Sequence, residues 1–271
     1  MVMITNSALC FCRGNSKFGN LAAVVRNFVG EDAEKQALSA QFNFPVTVFI
    51  EDENAGLPLL RFFYPRVEMS LCLHGTLAAG QYLMQLHGLN SLSIRTRSNQ
   101  VLQIVQRDDK VQVALDQAKI LRTKADLGEV AEMLRISVDS VDIDFPFLVA
   151  NLGSPKLLVP VKSGVILNSL QPNFDLIKKW SVQHQVNGLY VYTADAPPGV
   201  DFVARGFNPK GGLNEDAATG VAAGTLISIL PKSNQTDFII DQGDAMGEAC
   251  RIYVSCDQNG LVWVGGKVIF V

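Results

Sequence analysis

The sequence has almost no excess of charge of either sign. Its 23 lysines and arginines stand against 26 aspartates and glutamates, which gives a formal net charge of -3. A chain without a positive field is a poor match for nucleic acid or for an anionic membrane surface. We therefore expect no nucleic acid and no membrane as a partner.

The sequence also lacks long apolar runs and the residue sets of metal sites. No run approaches the roughly 18 consecutive apolar residues of a membrane-spanning helix, and the start shows no basic segment followed by a long apolar one, so no signal peptide is expected. Three histidines are too few for a histidine-rich metal site, so no metal is expected. The five scattered cysteines indicate a reduced, cytoplasmic protein. The glycines form neither a G-x-G-x-x-G motif nor a P-loop, so no cofactor is predicted.

Apolar residues are abundant instead, at 48% of the 271 residues. A chain of this length suggests about two domains. Runs rich in β-branched and aromatic residues predict strands at 46–50, 59–64, 101–105, 189–192, 202–205 and 238–240. Amphipathic patterns predict helices at 32–41 and 124–134. The last stretch, 261–271, is predicted to form a hairpin that turns near Gly265 and Gly266.

Two further predicted helices, 75–86 and 219–230, are almost uncharged around their whole circumference. A helix that is apolar on every side has to be enclosed by the rest of the protein. In a chain with many strands, a curved sheet around each helix provides that enclosure. We therefore predict an α/β fold of two halves, each a curved sheet or open barrel around a central apolar helix.

An internal repeat supports two similar halves. Residues 61–80 align without a gap with residues 205–224, and six of the 20 aligned positions are identical. Each copy reads as a strand ending in Arg-x-Phe-x-Pro, a loop and an enclosed helix. Duplication divides the chain into a first half, 1–118, and a second half, 119–271. Arg61 and Arg205 are predicted to tie the halves together rather than to bind substrate.

The starts of the two enclosed helices are the predicted site. Unpaired N–H groups at a helix N-terminus suit a carboxylate. Cys72 and His74 lie at the first start and Asp216 at the second, and the gapless alignment makes Asp216 the counterpart of Cys72. A histidine and an aspartate facing one cleft form an acid/base pair that needs no cofactor. The backbone groups predicted to bind a small carboxylate are those of Gly75, Thr76, Thr219 and Gly220.

Each of these residues also has a purely structural interpretation. His74 can be a core histidine bonded to a backbone carbonyl, and Asp216 can be a helix-capping carboxylate. Cys72 is either a small buried hydrophobe or a thiol whose pKa is lowered by the helix N-terminus. Because burial opposes ionisation, we expect an unreactive thiol.

Three motifs resemble the phenazine-biosynthesis PhzF family and span nearly the whole chain. They are Gly-Asn-Leu-Ala-Ala-Val at 19–24, Arg-Phe-Phe-Tyr-Pro followed by Leu-His-Gly-Thr at 61–76, and Arg-Gly-Phe-Asn-Pro followed by Glu-Asp-Ala-Ala-Thr-Gly at 205–220. The resemblance implies a diaminopimelate-epimerase-like fold, a cofactor-free site between the halves that Gly19 and Asn20 approach, a homodimer, and isomerisation of a small carboxylate by proton transfer. It also suggests that the last strand crosses back to the first half.

The same resemblance exposes a departure. The segment that carries the family's acid/base glutamate matches residues 43–49 here, and Val46 stands at the position of the glutamate. Leu73 and Val221 are further apolar replacements. Related epimerases place a cysteine at each helix start, where this chain has Cys72 and Ala217. Two functions therefore remain open: a cofactor-independent isomerase that uses His74 and Asp216, and a non-catalytic protein that binds a ligand or partner.

Overall fold

A computed structural model describes residues 2–14, 17–53, 56–231 and 234–271. The chain forms two compact units. The first consists of residues up to Ala114 together with Gly265–Val271, and the second of Leu115–Val264. Within the described ranges, no helix is both long and apolar enough to cross a lipid bilayer.

The first part of the chain carries eight strands and two helices in its described residues. In chain order they are β1 (Ile4–Cys12), β2 (Asn20–Arg26), α1 (Asp32–Phe42), β3 (Val46–Glu51), β4 (Leu59–Phe63), β5 (Glu68–Met69), α2 (Leu73–His87), β6 (Ser91–Thr96), β7 (Val101–Arg107) and β8 (Lys110–Leu115).

The second part continues with nine strands and four α-helices in the residues that the structure describes. They are β9 (Lys119–Ile120), α3 (Leu127–Leu134), β10 (Leu148–Asn151), β11 (Lys156–Pro160), α4 (Gly164–Ser169), α5 (Phe174–Gln183), β12 (Leu189–Thr193), β13 (Phe202–Asn208), β14 (Leu213–Asp216), α6 (Gly220–Ile229), β15 (Asp237–Gln242), β16 (Cys250–Cys256) and β17 (Val262–Phe270). Short 3-10 helices lie at Val138–Ser140, Pro209–Gly211 and Asp244–Met246.

The sheet of the first unit closes around α2. β1 pairs with β2, β2 with β3, β3 with β4, β4 with β6, β6 with β7, and β7 with β8. The C-terminal strand β17 pairs with both β8 and β1, which completes the ring. α2 contacts six of these strands, and a Cβ added at its Gly80 would come within 2.8 Å of Ile104. The predicted central apolar helix is therefore confirmed in this unit.

The C-terminal hairpin predicted near Gly265 and Gly266 is wrong, because β17 runs without a turn from Val262 to Phe270. Gly265 serves a close approach between strands instead. A Cβ there would lie 1.8 Å from the carbonyl oxygen of Val111 on β8. Two glycines in an apolar run predict a turn, but here glycine allows the backbones of two strands to approach closely.

The sheet of the second unit is covered on both faces. Leu157, Val159, Leu189, Val191 and Phe207 point to one face and form a core with α3, α4 and α5. Because side chains alternate along a strand, the intervening residues point to the opposite face. α6 lies there and packs on β10 and β16. The α/β fold, with a curved sheet and an enclosed apolar helix in each half, is as predicted.

The repeat is present, but its register differs from the gapless alignment. In the first copy Phe63 pairs with Glu68, and in the second Phe207 pairs with Glu215. The connecting loop is therefore three residues longer in the second copy, where it contains the 3-10 helix Pro209–Gly211. Sequence matching without gaps could not detect this insertion.

The corrected register changes which residues are equivalent. Met69 pairs with Phe62, and Asp216 pairs with the equivalent residue Gly206. Each of the two lies three residues before the N-cap of its helix. Those N-caps are Cys72 and Thr219. The counterpart of Asp216 is therefore Met69, and the counterpart of the Cys72 thiol is the Thr219 hydroxyl. The predicted equivalence of Cys72 and Asp216 in the repeat is wrong.

Candidate active site

In the first unit, the start of α2 is a buried sulfur–imidazole cluster. Cys72 is the N-cap residue and His74 lies in the first turn. Cys72 Sγ is 3.3 Å from Nδ1 of His74, and the hydroxyl of Tyr64 donates to the same sulfur at 3.7 Å. The Cys10 thiol donates to the backbone carbonyl of His74 at 3.2 Å. The structure thus brings Cys72 and His74 together, as the sequence predicted.

Burial decides the charge of His74. Its side chain is 7% exposed, and desolvation lowers the pKa of the imidazole to about 4. The ring is therefore neutral at neutral pH. An imidazolium beside Cys72, which would have favoured a thiolate, is not present at that pH.

Gly19 and Asn20 lie one strand away from this cluster. A Cβ at Gly19 would come within 2.8 Å of the carbonyl oxygen of Cys10, so the close approach of the two chain segments requires glycine. Asn20 is 3% exposed and pairs with Cys10 across β1 and β2. Since Cys10 contacts the backbone of His74, Gly19 and Asn20 are linked to the start of α2 through Cys10.

Val46 also lies beside the first turn of α2. It is fully buried at the beginning of β3. A Cβ added at Gly75 would lie 3.3 Å from Cγ1 of Val46 and 2.7 Å from Cγ2 of Val48. The apolar side chain of Val46 therefore fills the space against α2 and offers no group that can exchange a proton.

In the second unit, a chain of hydrogen bonds holds Asp216 at the start of α6. The Thr219 hydroxyl donates to Oδ2 of Asp216 at 2.9 Å. Gln242 donates through Nε2 to that hydroxyl at 3.1 Å and to the carbonyl oxygen of Asp216 at 2.7 Å. The backbone N–H of Thr219 donates to Oε1 of Gln242 at 3.1 Å. These hydrogen bonds fix the carboxyl group of Asp216 at the start of α6.

Gly206 makes room for this network, so we expect Gly206→Ala to disrupt it. The new Cβ would lie 2.3 Å from Oγ1 of Thr219, and Thr219 would have to leave its place between Gln242 and Asp216. We expect the free energy of unfolding to fall by about 1–3 kcal/mol, and hydrogen exchange in the first turn of α6 to accelerate.

A double-mutant cycle provides the control for this prediction. Thr219→Ala removes the atom that Gly206→Ala displaces, so the alanine at 206 should cost less in the Thr219→Ala background than in the wild type. Urea unfolding of the four proteins measures the difference. Strictly additive costs would contradict the proposed clash.

Two of the four predicted backbone donors are already engaged. The N–H of Thr76 donates to the carbonyl of Cys72 at 2.9 Å, and that of Thr219 is bound by Gln242. These two N–H groups therefore already have acceptors within the protein. Gly75 and Gly220 belong to first turns, whose N–H groups have no acceptor four residues earlier.

The two arginines of the repeat act inside their own units. Arg61 forms a two-pronged ion pair with Glu68. Arg205 does the same with Glu215 at 2.8 Å through both nitrogens, and donates to the carbonyl of Leu167. The predicted role of tying the halves together is replaced by fixing the strand before each helix start. Glu215 is thereby committed to Arg205.

Sequence reasoning missed three residues: Gln242, which hydrogen-bonds to Asp216, and Lys156 and Tyr190, which lie on the face of the sheet that carries Asp216. Gln242 is 1% and Lys156 3% exposed. Burial lowers the pKa of Lys156, and the negative charge of Asp216 opposes that shift. Burial and Asp216 both raise the pKa of Tyr190. The one sequence signal was a lysine at the head of an apolar strand, a position that lysine rarely takes without a partner.

No metal site accompanies these groups in the described ranges, where no cluster of three or more His, Cys, Asp or Glu side chains is placed to hold an ion.

Comparisons with known proteins agree with this architecture. A family model described as phenazine biosynthesis-like protein, PhzC-PhzF, matches residues 14–271. A Deinococcus radiodurans protein described as an uncharacterized isomerase is 30% identical over 271 residues, covering 92% of this chain and 86% of its own. A Clostridium acetobutylicum protein, also described as an uncharacterized isomerase, is 29% identical and covers 93% of this chain and 91% of its own.

Among solved structures, a Bacillus anthracis phenazine biosynthesis protein of the PhzF family has a TM-score of 0.85 at 22% identity, over 100% of this chain and 98% of that one. At this identity, the likeness supports the fold. The family that the three motifs resembled is confirmed by the match of the family model and by the relative at 30% identity. The chain belongs to the PhzC-PhzF family of phenazine biosynthesis-like proteins.

Proposed function

We propose that this protein is a cofactor-independent isomerase that moves a proton on a small carboxylate, with His74 and Asp216 as its acid/base groups. The relatives described as isomerases support the reaction class. The observation that carries the proposal is the placement of one ionisable side chain at the start of each enclosed helix. His74 lies in the first turn of α2, and Asp216 lies three residues before the N-cap of α6.

The surroundings of Asp216 suit a proton acceptor. Its carboxylate accepts a hydrogen bond from the Thr219 hydroxyl at Oδ2, and a carboxylate offers about four lone-pair sites in all. The N-terminus of α6 supplies first-turn N–H groups and a partial positive charge for the substrate carboxylate. Asp216 would therefore take a proton from a carbon atom next to the bound carboxylate.

The surroundings of His74 suit a relay for returning a proton. A neutral imidazole accepts a proton on one nitrogen while it donates the proton of the other. The Cys72 thiol, 3.3 Å from Nδ1, is the adjacent proton source. Transfer from Cys72 through His74 to the substrate carbon would leave a thiolate, which the next proton uptake neutralises. Cys72 thereby enters the reaction as a proton store and not as a nucleophile.

Val46 is consistent with this division of roles. By the family resemblance it occupies the glutamate position, and its side chain is packed against α2. An isomerase with this residue would depend on the groups at the helix starts.

The proposal predicts exchange of substrate hydrogen with solvent. Incubation in D2O with a panel of cyclic and amino-acid carboxylates, followed by mass spectrometry, should show deuterium incorporation into at least one compound. His74→Ala and Asp216→Asn should each slow that exchange by about 100-fold or more, because each removes a positioned acid/base group. His87→Ala, at the exposed end of α2, is the matched control and should retain the wild-type rate.

The alternative is a non-catalytic member of the family that binds a ligand or partner. Apolar residues at three site positions favour it, since Val46 and Leu73 are buried and Val221 is half-buried at the helix starts. Calorimetric binding of a carboxylate without any exchange, unaffected by His74→Ala and Asp216→Asn, would support this alternative. Exchange that both variants leave at the wild-type rate would contradict the assignment of His74 and Asp216.

A further inference from the structure

Lys156 is a charged residue inside the second unit. It opens β11, pairs with Ala150 of β10, and is 3% exposed. Its neighbours on the strand, Leu157 and Val159, belong to the core shared with α3, α4 and α5. By strand alternation, Lys156 and Leu158 point to the opposite face, which α6 covers.

Asp216 lies on that same face. Leu158 pairs with Tyr190, Tyr190 with Gly206, and Gly206 with Asp216, so these residues form one row across four neighbouring strands. Gly206 is oriented toward Thr219 at the start of α6. Lys156 lies two residues along β11 from this row. The register thus places a buried ammonium group and the candidate acid/base carboxylate on one enclosed surface.

We propose that Lys156 is a positioning residue for Asp216: its buried ammonium group balances the carboxylate and keeps it ionised and ready to accept a proton. This inference rests on the proposed function for its catalytic meaning, although the pairing itself is independent of any substrate. A lysine buried to this degree requires a compensating charge, and Asp216 is the charge that acts on it.

Neither α6 nor Tyr190 provides that balance. Helix α6 carries no charged residue in its sequence. Tyr190 is fully buried, and among the described residues its hydroxyl has no hydrogen-bond partner. Burial and the nearby carboxylate raise the pKa of Tyr190, so the phenol stays neutral. Asp216 therefore supplies the charge that acts on Lys156, and the neutral phenol of Tyr190 lies on the same face of the sheet.

The attraction works in both directions. The same interaction that favours the ammonium form of Lys156 favours the carboxylate form of Asp216. Lys156→Met retains the length and volume of the side chain but removes the charge. In this variant the carboxyl group of Asp216 should hold its proton to higher pH, by about one unit, and the acidic limb of the exchange rate against pH should move upward by the same amount.

The experiment is a pair of NMR titrations on the intact protein. Carboxyl carbons of 13C-labelled aspartate report Asp216, assigned by its loss in Asp216→Asn, and labelled lysine Cε reports Lys156, assigned by its loss in Lys156→Met. We expect the Asp216 midpoint to rise in Lys156→Met and to stay at the wild-type value in Lys156→Arg. Lys162→Met, which removes an exposed lysine six residues further along the chain, is the matched control and should change neither titration.

The reciprocal variant keeps the inference testable if Lys156→Met does not fold. In Asp216→Asn the Lys156 ammonium should lose its proton at lower pH than in the wild type, because only burial then acts on it. An Asp216 midpoint that is unchanged in folded Lys156→Met, or a Lys156 midpoint that is unchanged in Asp216→Asn, would overturn the pairing. Shifted titrations without hydrogen exchange in any carboxylate would support the pairing and contradict the proposed isomerase. Unshifted titrations together with exchange would contradict the pairing and support the isomerase.

Discussion

Gly265→Ala should cost the protein most of its stability. The new Cβ would lie 1.8 Å from the carbonyl oxygen of Val111 and 2.7 Å from Cα of Gln112. Both atoms belong to the backbone of β8, so no side chain can rotate to relieve the overlap. The strand that closes the sheet of the first unit between β8 and β1 would have to separate from β8. We expect a loss of more than about 4 kcal/mol in the free energy of unfolding, or insoluble protein.

Gly88→Ala is the matched control in the same unit. Gly88 ends α2 with a φ of +64°, and a Cβ there would meet nothing within 4 Å. Only the left-handed backbone conformation opposes the substitution, at about 1 kcal/mol. Urea unfolding followed by circular dichroism compares the two variants. A Gly265→Ala protein as stable as Gly88→Ala would show that β17 does not need this close approach.

The second large effect is a pH-dependent loss of stability caused by His74. The unfolded chain binds a proton at the ordinary histidine pKa of 6.5, whereas the buried ring in the folded state binds it only near pH 4. As pH falls through this window, protons stabilise the unfolded state first, so the folded state loses stability. Since one pKa unit corresponds to about 1.4 kcal/mol, the contribution of His74 amounts to about 3 kcal/mol.

His74→Gln isolates this contribution, because glutamine does not titrate. Unfolding free energies measured from about pH 7.5 to about pH 4 should fall less in His74→Gln than in the wild type, by about 3 kcal/mol over the range. His87→Gln, at the exposed end of α2, should follow the wild type to within about 1 kcal/mol. Equal pH dependence in His74→Gln and the wild type would mean that folding does not change the pKa of His74.

Much of the fold followed from the sequence, because burial leaves a direct mark on composition. The helices around 75–86 and 219–230 were predicted from their lack of charge, and the structure has them at Leu73–His87 and Gly220–Ile229. Strands rich in β-branched residues were predicted for the same reason, as at Val46–Glu51 and Leu189–Thr193. The helix Phe174–Gln183 was not predicted.

The local part of the candidate site also followed from the sequence. Cys72 and His74 are two residues apart at a helix start, so the chain itself keeps them near each other. Asp216 and Thr219 are separated by three residues at the start of α6, and their hydrogen bond is likewise local.

Tertiary structure alone decided the rest, because the deciding contacts join residues distant in sequence. Gln242 reaches Asp216 and Thr219 from β15, and Lys156 shares a face with Asp216 through the register of four strands. The longer loop at Pro209–Gly211 shifts the repeat, and only strand pairing shows it. The neutral state of His74 depends on enclosure by the sheet, since desolvation is a property of the folded environment and not of the residue.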